Sequence, residues 1–266
     1  MLAMRIRALV RRELIDLLRN WMVLVPVAAV TILALGLPFL VAIAVPRLTG
    51  QPLATDRDLE RVSLVFGIAG ELSSEARIQL FLFQQFLTLF LIIPVTGAMA
   101  LAAHAIVGEK QARTLEPLLA TPVTTAELLI AKVLGALLPT LAIAAAGLIV
   151  YFAGIAWLAE SGVTRAMASL RTAALVVLVG PGAALLSLQT AIVVSSRVND
   201  ARTAQQFGVL IIVPLAALLV AQFIGRVWLS ASALALLAAA LVAAWLILVG
   251  ISVWLFDRET ILTRWR

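Results

Sequence analysis

Six stretches of the chain are almost uninterrupted hydrocarbon: residues 21 to 46, 80 to 107, 133 to 159, 171 to 196, 207 to 224 and 229 to 256. A helix needs about 20 apolar residues to cross the hydrocarbon core of a bilayer, and these runs match that length. Strand-length alternation of polar and apolar positions is absent, so the runs predict helices and not a transmembrane barrel. The predicted fold class is an all-α integral membrane protein with six transmembrane helices. The first run is too long for the core of a cleaved signal peptide and comes after an amphipathic stretch containing acids, so it is expected to stay in the mature chain.

That preceding stretch, "RIRALVRRELIDLLRN", repeats apolar residues at Ile6, Leu9, Val10, Leu14, Leu17 and Leu18, with arginines on the other face. Such a stripe predicts an N-terminal amphipathic helix lying in the membrane interface, its cations near anionic lipid headgroups. The pattern fits simple anchoring and a part in gating equally well. The chain therefore divides into an interfacial helix over residues 1–20 and a six-span domain over residues 21–266.

Composition strengthens the class, since 63% of residues are hydrophobic and only 13% charged. Charge then gives the orientation. Residues 1–20 hold Arg5, Arg7, Arg11, Arg12 and Arg19; residues 108–132 hold Lys110, Arg113 and Lys132. Arg197 and Arg202 come after the fourth span, and Arg258, Arg264 and Arg266 lie in the tail. The other side has seven basic residues, four of them in the loop 47–79, where Asp56, Asp58, Glu60, Glu71 and Glu75 outnumber them. Both termini are thus expected in the cytoplasm, with 47–79 an extracytoplasmic loop, as in a multi-pass protein of the cell (inner) membrane. The net charge of +6 reads as topology and lipid contact, not as nucleic-acid binding, because no separate soluble basic domain exists. With no cysteine, disulfides and thiol chemistry are excluded.

Both lysines of the chain fall in "GEKQARTLEPLLATPVTTAELLIAK", residues 108–132. Glu109 and Arg113 are four apart and Glu116 is three further on, so a helix leaving the membrane aligns them as a charged ridge. Pro117 disturbs that helix, and Thr121 before Pro122 favours an extended residue. Thr124-Thr125-Ala126-Glu127 then matches a capping box, with Thr124 as N-cap and Glu127 reaching back, at the start of the third span. Helix, elbow and capped helix make a shape suited to being gripped by a partner. An ordinary polar connection between helices would carry the same local chemistry.

The segment resembles the first cytoplasmic loop of the type-2 (ABC-2) permease family of ABC transporters. The matching positions are Glu109, Lys110, Thr114, Leu115, Glu116, Leu118, Leu119, Thr121, Pro122, Val123, Glu127, Leu128, Leu129 and Lys132. "SSRVNDARTAQQFGVLIIVP" (195–214) is similar to the family's second cytoplasmic loop, and "FDRETILTRWR" to a common C-terminal tail. The resemblance implies a membrane-spanning permease subunit of an ATP-driven transporter, an exporter working by alternating access in a dimer. It implies that 108–132, with Arg113 on its ridge, is the coupling segment docking a separate ABC ATPase subunit. It also implies a second permease subunit, in a homodimer or heterodimer. No cofactor is expected on this chain itself, since ATP and Mg would sit on the partner ATPase. Cargo in such a family ranges over drugs, lipids, polysaccharides and peptides, and the apolar lining here mildly favours a lipophilic or amphiphilic one. One departure is visible: family members often carry a re-entrant hairpin between the fifth and sixth spans, whereas only about Gln222 to Leu229 is available here. The external mass lies instead in 47–79, whose "VSLVFGIAG" is apolar enough to touch the membrane or pack on the bundle.

Other functions find less support. No G-x-x-x-x-G-K-[ST] occurs, so the chain is not expected to be an enzyme that cradles nucleotide phosphates. The lone His104 has no Cys, Asp or Glu nearby in sequence and reads as a polar residue at a helix interface, not a metal ligand. The alternative, an ion-coupled secondary transporter or channel, wants ionisable residues at mid-bilayer depth. The spans offer only Gln84, Gln85, Gln189 and several Ser or Thr near their centres. Gly180-Pro181-Gly182 reads as a kink tolerated in the fourth span, or as a broken helix of the secondary-transporter kind. An intramembrane protease or lipid transferase would need paired carboxylates or a His-assisted nucleophile, which the spans lack.

Overall fold

The computed structural model describes residues 21–65, 72–90, 92–111, 125–198, 206–207, 209–224 and 229–255, with Arg7, Val10, Arg11, Ile15 and Thr203. Every regular element among them is a helix. Helix α1 spans Trp21–Phe39 and runs on through a π-helical turn, Leu40–Ala44, into Val45–Thr49. Then come α2 (Arg57–Val65), α3 (Ser74–Phe90), α4 (Ile92–Gln111), α5 (Thr125–Leu158), α6 (Val163–Met167) and α7 (Leu170–Ala173). A second π-helical turn, Ala174–Val179, joins α7 to α8 (Gly180–Arg197), after which come α9 (Val209–Phe223) and α10 (Ala231–Leu255).

Five helical stretches among the described residues are long and apolar enough to cross a membrane: Val25–Thr49, Ser74–Ala103, Ile130–Leu158, Leu170–Ser195 and Ala231–Trp254. The described part of the remaining expected span, α9, has 15 residues and falls short of that length. Of the expected interfacial helix, Arg7, Val10, Arg11 and Ile15 are described, three of them with helical backbone at Arg7, Val10 and Arg11 and the fourth likewise at Ile15; the rest lies outside the described residues.

Both π turns end two residues before a proline, Pro46 and Pro181. A proline ring clashes with the carbonyl four residues back in an α-helix, and widening the preceding turn gives it room. The fourth span therefore runs continuously through Gly180-Pro181-Gly182 and is not a broken helix. The first span stops where Gly50 adopts a left-handed conformation (φ 68°) and its N–H donates to the Pro46 carbonyl at 2.9 Å. That terminal geometry favours glycine because it carries no Cβ.

Helix α8 is the centre of the bundle, packed most extensively on α4 and α10, while α4 also packs on α5. Small residues make this close approach possible: Ala98, Ala102, Ala136, Ala184 and Ala191 are buried together with Leu188 and Ile192. Between apolar helices in an apolar solvent, such close van der Waals contact replaces the hydrophobic drive. A second core, nearer the Thr49 end of α1, is aromatic. Tyr151 is fully buried among Phe39, Phe83 and Phe152, with ring centroids 5.6, 5.9 and 6.0 Å away, and its hydroxyl donates to the Phe83 carbonyl at 2.8 Å. Gly154 admits the Phe39 ring, since a Cβ there would lie 2.6 Å from Phe39 Cζ.

Candidate coupling site and the polar ties opposite it

The segment 108–132 joins α4 to α5, two helices that pack on one another. Helix α4 continues to Gln111, so Glu109 and Lys110 lie on its last turn and not in a loop. Helix α5 opens at Thr125, directly after the residue expected to cap it. Its 34 residues make it about 50 Å long at 1.5 Å per residue, against a hydrocarbon core of about 30 Å. The apolar span begins only at Ile130, so the first turn of α5 precedes it.

Of the expected coupling residues, Arg113, Thr114, Leu115, Glu116, Leu118, Leu119, Thr121 and Pro122 lie outside the described residues. Glu127 and Lys132 are described, and both are buried, at 5% and 3% exposure. Each interacts with other groups of the chain. Buried charges of this kind are found where they are paired. Their side chains are thus enclosed within the described bundle.

The opposite end is closed by polar side chains that tie distant segments together. Ser73 caps α3, its Oγ accepting from Ala76 N–H at 3.1 Å. Two residues on, the Glu75 carboxylate accepts from Leu53 N–H (3.2 Å) and Ala54 N–H (3.1 Å), fastening the chain before α2 onto α3. Gln79 Oε1 accepts from Glu160 N–H at 2.8 Å and fastens the turn after α5. Arg171 donates from Nε to the Leu229 carbonyl (2.9 Å) and from Nη1 to Gln84 Oε1 (3.1 Å), joining α7, α3 and the entry to α10. Asp56 caps α2 by accepting from Asp58 N–H and Leu59 N–H. Leu53, Ala54, Leu59 and Val62 pack against the aromatic core, so the described part of 47–79 lies on the bundle. Its last six residues belong to α3, and two of them, Glu75 and Gln79, make these ties.

Sequence reading missed this set. By sequence Arg171 is one of the seven basic residues on the side of the loop 47–79, and Gln84 is one polar residue among several; the only signal is a glutamine inside an apolar run. Gln189, by contrast, donates to Ser252 Oγ at 2.5 Å and links α8 to α10. Gln85 and Gln222 are fully buried with amides that bond no other group among the described residues. The side chain of His104 lies outside what is described, and no group of three or more His, Cys, Asp or Glu able to hold a metal occurs among the described residues.

A bundle of long apolar helices, held by small-residue packing and a few interhelical polar ties, defines a multi-pass α-helical membrane protein. Residues 7–235 match the family described as ABC-2 family transporter protein, and the chain belongs to that family. It is an ABC transporter permease, a membrane transport component. No curated protein matches it.

Proposed function

We propose that the chain is the exporting permease subunit of an ATP-driven ABC transporter, with six spans behind an interfacial N-terminal helix and both termini in the cytoplasm of a cell (inner) membrane protein. It forms the translocation path with a second permease subunit and docks a separate ABC ATPase, which holds the ATP and Mg. Family membership over residues 7–235 carries this reading. The coupling surface is the charged elbow between α4 and α5: Glu109, Lys110, Arg113, Thr114, Leu115, Glu116, Leu118, Leu119, Thr121 and Pro122, with Glu127 and Lys132 bracing it from inside. An α4 that stays helical to Gln111 and an α5 that starts before its apolar span both favour a rigid lever there. Such a lever passes ATPase closure to the bundle as a rocking of whole helices.

Affinity purification in mild detergent, with native mass spectrometry of the product, tests the proposal. The expected product contains two permease subunits and two ATPase subunits. A stable monomer that transports without an ATPase overturns it.

A further inference from the structure

The groove at the Thr49 end of α1 combines three observations. First, it is lined by Phe39, by Leu40, Ile43 and Ala44 of the π-helical turn, by Arg47 and Leu48 of the helical turn Val45–Thr49 and by Leu158, and it holds about 500 Å³. Phe39 cannot readily fold away, because its ring lies 5.4 Å from that of Phe83 and 5.6 Å from that of Tyr151, above Gly154. A preformed apolar groove binds a chain at little cost in ordering.

Second, its position along the span is that of the membrane boundary. The apolar stretch Val25–Thr49 ends two residues after Arg47, and its neighbour Ile130–Leu158 ends beside Trp157, which is 92% exposed. An exposed tryptophan at the end of a span marks the headgroup level. Third, Arg47 is exposed, is the one charged residue among those lining the groove, and makes no ion pair with another described residue.

We propose that this groove binds an anionic phospholipid, with an acyl chain along Phe39, Ile43 and Leu158 and the phosphate facing Arg47. Charge complementarity selects the lipid over a second copy of the chain. A two-fold pairing through this face would set the same patch against itself, Arg47 included, with no carboxylate among the lining residues to meet it. The inference needs only that the chain spans a membrane, and its test is independent of any ATPase.

The test is native mass spectrometry of the full chain released from bilayers containing equal phosphatidylglycerol and phosphatidylcholine. A cation near the surface attracts anionic lipid by roughly the energy of a fivefold preference, so the wild type should retain phosphatidylglycerol about fivefold over phosphatidylcholine. Arg47→Gln, a change at an exposed side chain, should bring that ratio near one. Ala44→Phe should lower retention of both lipids by filling the groove, and inorganic phosphate should not displace the bound lipid. Equal retention by the wild type, or a preference that survives Arg47→Gln, overturns the proposal. So does efficient disulfide dimerisation of Leu48→Cys in membranes, a clean readout in a chain with no other cysteine.

Discussion

Arg171 Nη1 lies 3.1 Å from Gln84 Oε1, across 87 residues of sequence, while Nε of the same guanidinium reaches the Leu229 carbonyl. One side chain thereby holds three segments at the end of the bundle opposite the connection between α4 and α5. Hydrogen bonds to a charged group contribute about 1.5 to 3 kcal/mol. Gln84→Leu should therefore lower the melting temperature of the purified protein by several degrees. Arg171→Lys should do the same despite keeping the charge, because its single nitrogen lacks the planar fork whose separate Nε and Nη1 reach the two acceptors. An unchanged melting temperature in both variants would show that the tie contributes nothing to stability.

Gly154 tests the aromatic core. In Gly154→Ala the new methyl meets the Phe39 ring at 2.6 Å, and the ring is confined by Phe83 and Tyr151. Overpacking of this kind costs about 1 to 3 kcal/mol. Shortening the ring in Gly154→Ala/Phe39→Leu should recover part of the loss, a non-additivity that a double-mutant cycle of thermal stability measures.

Coupling should respond to charge at the elbow. Reversing Glu109 and Glu116 to lysine sets like charges against whatever basic groups they meet on an ATPase, and losing such desolvated pairs costs about 2 to 5 kcal/mol. If Glu109 and Arg113 only support their own helix, the effect stays at about 0.2 to 0.5 kcal/mol and the complex survives. Co-purification and stimulated ATP hydrolysis, with membrane insertion checked by expression, separate the two. A well-inserted double variant that still holds and stimulates its ATPase would move the coupling contacts elsewhere.

Orientation is open to a direct measurement because the wild-type chain has no cysteine. Gln51→Cys, at an exposed position just past the Gly50 cap, should react with an impermeant maleimide added outside intact cells. Epitope tags at either terminus should stay shielded until the cells are opened. The reverse pattern would place the elbow outside and leave it no ATPase to meet.

Class and family were legible in the chain itself. In hydrocarbon every backbone polar group must be satisfied within its own segment, so an apolar run of sufficient length commits to helix before any neighbour is known. The elbow motif is equally local, being a run of residue types at fixed spacing. What the sequence hid were the positions where polar residues find distant partners. Glu75 and Gln79 resembled loop residues because they are polar, yet they lie in the first turns of α3 and bind Leu53, Ala54 and Glu160. Glu127 and Lys132 are charged residues of the same motif, and only the packing of the bundle shows that both are buried. The groove beside Arg47 likewise depends on α5 bringing Leu158 against the π turn. Hydrogen bonds and desolvation act across space, between residues as many as 87 positions apart, so only the packed helices decide which polar group is exposed, which is paired and which lines a surface.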